Sequence, residues 1–225
     1  MMDTSSEERG ATAWAAWDAR WRTAEGRARW LEPEPEARAL AAELRARGGR
    51  SVLDLGCGVG RHAVYVAGEG FAVSAMDAAS SGLDYARDWA SREGVTLDLS
   101  FGQMTALPYE DASFDAVIAW NVIYYGEPPV IEAALSEIRR VLRPRGLYLG
   151  TFLSKRHARY GQGREIARDT FVIDGVEERD HPHHYCDARG VVDFMVGFEL
   201  WSLVDRCHEG PDTYHWHLLA ERLPG

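Results

Sequence analysis

No stretch of this 225-residue sequence approaches the ~18 consecutive apolar residues that a membrane span requires, and no segment recurs at a fixed period. The opening residues, MMDTSSEERG, are acidic and polar where a secretory signal would be basic and then apolar. Both features predict a cytoplasmic protein. Cysteine is scarce: Cys57, Cys186 and Cys207 are dispersed and form no CxxC pair. This excludes a disulfide framework, disfavours a thiolate zinc site and fits a reducing compartment. Positive charge is in deficit as well, with 25 Lys and Arg against 35 Asp and Glu, a net charge of −10 and a pI near 5.3. Such a field repels polyanions, so neither nucleic acid nor an anionic membrane is an expected partner. The one basic cluster, Arg139, Arg140, Arg143 and Arg145, falls where a helix should end and reads as a solvated terminus favoured by the helix dipole.

What is present is ordinary for a globular chain: 46% hydrophobic and 27% charged residues. At roughly 150 residues per domain, the length gives one sizeable domain with appendages. Residues 11–47 place Ala, Arg, Glu and Trp at helical spacing, with Trp14, Trp17 and Trp21 on one face. Pro33 and Pro35 interrupt the pattern, predicting one helix over about 11–29 and another over 34–47 that ends at Gly48-Gly49. From Ser51 onward, short apolar runs alternate with helical stretches: SVLDL, 61–68, FAVSAMD, 80–93, VTLDLSF, FDAVIAWN, 129–142 and LYLGTFL. That alternation means βαβ units and a parallel sheet with helices on both faces. A short helix near 187–196 and two strand-like runs, FELWSLVD and TYHWHLLAE, follow a polar segment over 154–186. The expected fold is therefore α/β: a Rossmann-like, doubly wound sheet of seven strands, mostly parallel, with an antiparallel C-terminal hairpin. An N-terminal helical cap would occupy residues 1–49, and the domain 50–225 would carry an insertion at 154–186.

The most informative stretch is LDLGCGVGRH, in which Asp54 precedes Gly56, Gly58 and Gly60 between a strand and a helix. Glycines allow a tight turn and close approach to a ligand, and the helix N-terminus offers free N–H groups. Asp77 ends the next strand about where a carboxylate would take ribose hydroxyls. The spacing is GxGxG and not the GxGxxG of dinucleotide enzymes, and an acidic residue at Asp54 would repel a pyrophosphate but suits an ammonium group.

DLGCGVG, the strand-ending Asp77, GQMTALPYEDASFDAVIAWN and the helix IEAALSEIRRVLRPRG follow one another as in the class I S-adenosylmethionine-dependent methyltransferases, which this sequence resembles over about 50–153. WNVIYYG and HPHHY resemble the small-molecule branch, of tellurite-resistance type or methyltransferase type 11-like. The resemblance implies S-adenosylmethionine as cofactor and a small-molecule acceptor. It puts the methionine part over Gly56 to Gly60, with Gly56, Cys57 and Gly58 as binding residues and Asp54 near the amino group. Asp77 would hold the ribose and Ala78 would pack on the adenine. Gln103 stands where many members have Asp, followed by Met104; an amide there still bonds the adenine edge. Trp120 and Asn121 would face the sulfonium and the acceptor.

Trp17 and Trp21 would contact the cofactor if the N-terminal helix closes over the sulfonium by cation–π attraction; packing on the sheet is the alternative. Arg61 and His62 either face solvent at the start of their helix or join the site. Six histidines lie after position 180, among them His181, His183 and His184 in HPHHY, and His215 and His217, which share a strand face. They admit a divalent metal at His181, His183, His215 and His217, which is not favoured because no carboxylate spacing completes a recognised set. A base or acceptor-orienting role for His183 and His184, joined by Tyr124, is the preferred reading; a purely structural role is the third. The sequence leaves the acceptor and oligomeric state open. Its rival functions are a non-catalytic S-adenosylmethionine-binding regulatory module and a nucleotide-dependent oxidoreductase, the latter disfavoured by Asp54 and the glycine spacing.

Overall fold

The protein is described from a computed structural model that defines residues 6–176, 179–208 and 210–224, with side chains from residue 13 onward. Residues 1–5 of the expected cap, and 177–178 of the expected insertion, lie outside the described residues.

Five parallel strands form the centre: β1 (Ser51–Leu55), β2 (Ala72–Asp77), β3 (Asp98–Phe101), β4 (Phe114–Ala119) and β5 (Leu142–Ser154). They run in the order β3-β2-β1-β4-β5. Helices α3 (Pro35–Ala46), α4 (Arg61–Gly68), α5 (Ser80–Glu93) and α6 (Pro128–Val141) cover the sheet. Alternation along β1 sends Val52 into a core with Leu40 and Leu44 of α3 and Val66 of α4, while Leu53 and Leu55 join Ile131, Leu135 and Ile138 of α6. Helix α6 starts on Pro128, suited to a first turn whose N–H groups lack partners, and buries Ile131, Ala134, Leu135, Ile138 and Val141 on one stripe.

The insertion is more ordered than its composition suggests. It supplies β6 (Arg164–Ala167), β7 (Thr170–Val172) and β8 (His183–Cys186), followed by α7 (Ala188–Phe194). Strand β4 leaves β5 after Ala119 pairs with Gly150; beyond that point β8 takes up Leu153 and Ser154 of the long β5. The hairpin β9 (Phe198–Cys207) and β10 (Tyr214–Arg222) closes the other side of β5, antiparallel. Among the described residues the expected seven strands are thus joined by three short ones, making ten.

Two further expectations change. The first helix ends early: α1 spans Ser6–Trp21, and a short α2 (Ala24–Arg27) runs into a 3-10 turn over Ala28–Trp30. Thr23 interrupts it by capping the new helix, its hydroxyl accepting the Gly26 N–H at 3.0 Å. The bend folds Trp30 back edge-on to Trp17 and Trp21. Within the arginine cluster, Arg139 and Arg140 lie in the last turn of α6 and Arg139, Arg143 and Arg145 are exposed, as expected of a helix terminus, but Arg140 is half-buried and tied down. Arg140 donates to Glu137, to Asp111 and to the carbonyls of Leu107 and Tyr109, while Arg143 and Arg145 pair with Asp115 and Glu221. These bonds fasten the loop before β4 onto α6.

Arg140→Ala would strand two carbonyls and a carboxylate pair, and is expected to lower stability by about 2–3 kcal/mol, because charge-assisted bonds are worth roughly 1.5–3 kcal/mol each and are not additive. Arg145→Ala, whose exposed guanidinium stands 3.5 Å from a Glu221 that Arg47 already holds at 2.9 Å, should change it by under about 0.5 kcal/mol. Urea unfolding of the two variants measures the contrast; equal effects would return the cluster to a solvated terminus.

Candidate functional site

The turn after β1 is built so that backbone, not side chains, lines a hollow. Gly56 has φ of +67°, and a Cβ there would stand 2.2 Å from Val122. Gly58 has φ of +53°, and its Cβ would press on the Trp21 ring at 3.1 Å. Any other residue would meet both a left-handed backbone and a filled space. The Gly58 N–H donates to Asp77 Oδ2 and the Ala79 N–H to Oδ1, each at 2.7 Å. One carboxylate therefore joins the turns that follow β1 and β2. Burial pushes Asp77 above the ordinary carboxylate value, against the pull of the N–H groups of Gly58, Ala79 and Ala78.

Around this turn lies a cavity of about 980 Å³ including the open space at its mouth. Its wall brings together Trp17, Trp21, Gly56, Cys57, Gly58, Asp77, Ala78, Gln103, Met104, Trp120 and Asn121, all singled out in the sequence. Asp54 is not on that wall. It is buried behind the turn, accepts the Ala63 N–H at 3.0 Å, and is pushed up to about 7 by burial. Trp17 and Trp21 stack with centroids 5.0 Å apart, and Tyr125 stands 6.5 Å from Trp17 across the mouth. Helix α1 is anchored beside them by Asp18, which accepts the Ser81 N–H at 2.8 Å in the first turn of α5 and pairs with Arg22 at 2.5 Å. Burial raises Asp18, but Ser81 and Arg22 outweigh it and hold the carboxyl below its usual range. Asn121 adopts φ of +58°; its N–H donates to Thr151 Oγ1 at 2.8 Å, the Thr151 hydroxyl returns a bond to Asn121 Oδ1 at 3.0 Å, and the amide donates to His208 Nε2 at 3.0 Å.

The expected catalytic residues lie elsewhere. Tyr125, not Tyr124, lines the cavity; Tyr124 packs behind it among Leu153, Phe171 and Tyr185. His183 and His184 alternate on β8. His183 stands near both tyrosines, its Nδ1 donating to the His181 carbonyl at 2.9 Å, while His184 faces Phe194 and Thr170 on the opposite side. The metal set does not form: Tyr124 stands between His183 at 6.3 Å and His215 at 5.8 Å, and His215 Nδ1 is already bonded to the Thr213 carbonyl. Among the described residues, no three His, Cys, Asp or Glu side chains converge as a metal-binding group.

The site also holds residues that sequence reasoning left open or missed. Arg61 and His62 are buried, not solvated. Arg61 pairs with Glu34 at 3.0 Å and lies over Trp30 at 5.1 Å. The signal for them was the RH pair closing the glycine turn. His208 stands in an irregular turn with no pattern to mark it, yet its ring meets Trp120, His215 and His217 within 5.7 Å.

Comparison with known proteins agrees with this fold. Residues 52–146 match a family model described as a methyltransferase domain. A sterol 24-C-methyltransferase of Gibberella zeae is 37% identical over 176 residues, which cover 75% of this chain and 44% of that protein. The chain spans about half the length of such curated relatives, or less. Among solved structures, a SAM-dependent methyltransferase from Methanosarcina mazei has a TM-score of 0.73 at 19% identity, covering 87% of this chain and 100% of the other. The Burkholderia thailandensis 1,6-didemethyltoxoflavin-N1-methyltransferase, solved with 1,6-didemethyltoxoflavin and S-adenosylhomocysteine, also reaches 0.73 at 19% identity, covering 100% and 93%.

Burial holds His181 and His184 at about 4 and His217 at about 3, and His62, His183 and His215 well below 6.5. These groups are neutral in the folded chain and take up protons only on unfolding as pH falls below about 6.5, so their contribution is complete above that value and is lost toward pH 4. At pH 5 each of His181, His184 and His217 lowers stability by roughly 2 kcal/mol, and Asp54, which titrates the opposite way, offsets roughly one of them. Circular dichroism across this range should show cooperative acid unfolding between about pH 6 and 4.5. Stability unchanged down to pH 5 would contradict the buried, neutral assignment.

Proposed function

We propose that this chain, whose residues 52–146 match a methyltransferase domain on a fold shared with SAM-dependent methyltransferases, belongs to their class I family and moves a methyl group from S-adenosylmethionine to a small-molecule acceptor. The observation that carries the reading is the single cavity in which the glycine turn, Asp77 and Trp120-Asn121 meet. The residues present fit the cofactor. The glycine turn leaves no room for a Cβ beneath it, and Asp77 keeps acceptor capacity beyond its two N–H partners for a pair of ribose hydroxyls. Ala78 and Met104 would flank the adenine, and the Gln103 amide would meet its edge. Gly56, Cys57 and Gly58 would underlie the methionine part.

When bound, the cofactor supplies an electrophilic methyl group on a sulfonium. The chain's own work is alignment and exclusion of water, since in-line displacement needs little acid–base chemistry. Trp17 and Trp21 cover the turn and offer ring faces to a cation. Asn121, fixed by Thr151, orients whatever meets the methyl group. Residues 1–49 act in this reading as a lid carried by α1. Asp54, behind the turn, supports the start of α4 and does not touch the amino group. The net charge of −10 argues against nucleic acid as acceptor, and three unpaired cysteines support a reducing, cytoplasmic setting.

Asp77→Ala should weaken S-adenosylhomocysteine binding at least tenfold in titration calorimetry, since each bond to a charged carboxylate is worth ~1.5–3 kcal/mol. Gly58→Val should abolish it. Melting curves separate lost affinity from lost fold, and folded Asp77→Ala protein with undiminished affinity would refute the proposal.

A further inference from the structure

Two nitrogens on the wall of the cavity have no partner among the described residues. His62, in the first turn of α4, and Trp120, directly after β4, both line it, and both are more than nine-tenths buried. Their rings stand edge to face with centroids 6.1 Å apart. Of the side chains on this wall, theirs are the ones whose buried nitrogens, His62 Nε2 and Trp120 Nε1, meet no hydrogen-bonding atom of the protein. The polar groups beside them are already engaged. Asn121 bonds Thr151 and His208, Arg61 pairs with Glu34, and Asp77 holds the N–H groups of Gly58 and Ala79. An unpaired buried nitrogen is costly, so two on adjacent rings mark a place made for a polar partner.

The two nitrogens ask for different things. An indole N–H can only donate. The imidazole is neutral, because burial, with Arg61 and His208 adding to it, keeps His62 well below 6.5; one of its nitrogens therefore carries a lone pair. A single oxygen bonded to both at about 2.9 Å would bridge about 5 Å, comparable with the separation of the rings. Resting on the methyl-transfer reading, we infer that the methyl acceptor is a hydroxyl whose oxygen accepts from Trp120 Nε1 and whose proton is taken by His62 Nε2.

A hydroxyl is a poor nucleophile until its proton leaves, which makes it the acceptor for which a base beside the cofactor matters. A carbonyl oxygen held by two donors would instead lose the electron density with which to attack. In the transfer an O–CH3 bond forms as the sulfonium S–CH3 bond breaks with its electron pair left on sulfur, and the O–H proton passes to His62 Nε2. The indole N–H steadies the negative charge developing on oxygen. One positive charge disappears from sulfur as one appears on the imidazole, so the charge held in the buried site does not change. The burial that keeps His62 neutral then returns the proton to water at the cavity mouth. Trp14, Trp30 and Tyr125 on the same wall give the hydroxyl's carrier an apolar setting.

Phenol, anisole and benzaldehyde share one ring and carry, in turn, a hydroxyl, an ether oxygen and a carbonyl, of which only the first can donate to His62. Each is titrated into protein saturated with S-adenosylhomocysteine and followed by the assigned indole N–H resonance of Trp120. Phenol should shift that resonance and bind at least ten times more tightly than the other two, and His62→Phe should bring it down to their level. Equal affinities for the wild-type protein, benzaldehyde ahead of phenol, or a Trp120 resonance that phenol leaves in place overturns the inference. So does a preference for phenol that survives in folded His62→Phe. The wild-type ranking decides even if that variant does not fold. S-adenosylhomocysteine titration of the same sample keeps the two readings apart: no binding refutes methyl transfer itself, whereas binding with unranked probes refutes only the hydroxyl assignment.

Discussion

The carboxylate of Asp77 is the constraint around which the site is organised. By accepting N–H groups from Gly58 and Ala79 it ties together two turns that leave neighbouring strands and would otherwise diverge. Helix α4 begins three residues after Gly58 and α5 begins directly after Ala79, so both helix starts are registered on the same two oxygens. A buried carboxylate is expensive to desolvate. It persists because the backbone N–H groups that it satisfies would be equally costly to leave bare, and the result is a polar floor under an otherwise aromatic cavity.

Beyond Trp120 a related problem is solved by different means. Histidines there are packed against each other, with centroids of 4.9 Å between His208 and His215 and 5.1 Å between His208 and His217. Burial keeps His215 and His217 uncharged, so ring contacts that would repel as imidazolium pairs become ordinary aromatic packing. Each neutral ring still carries a donor and an acceptor, which gives the cluster directionality without a net field.

Much of this was legible in the residues. SVLDL, 61–68 and 80–93 correspond to β1, α4 and α5 because their apolar periods and glycine boundaries are local signals. The glycine turn and Asp77 could be read together since each occupies the end of a strand. What could not be read depends on partners remote in sequence. Arg140 looked like a helix terminus until the loop at 107–111 folded onto it. Thr23 gave a cap signal too weak to split a Trp-rich helix on paper. β8 became a strand because β4 stops short and leaves two residues of β5 unpaired. On sequence alone His183 and His184 belong to the polar insertion, and which of them faces the tyrosines depends on the register of β8, which periodicity leaves open.

The bond from Asp18 to Ser81 crosses between segments that are usually thought of as separable. Helix α5 has no capping side chain of its own at Ala79; an anion borrowed from α1 occupies that end. Removing the N-terminal helix would therefore fray the first turn of α5, immediately after the Asp77-Ala78 corner, and the damage would reach the floor of the cavity as well as its roof. Such a segment is not a detachable module. A chimera that exchanged it with that of a related chain would have to carry over the Asp18–Ser81 pair, or the transplanted roof would arrive without the hinge on which it hangs.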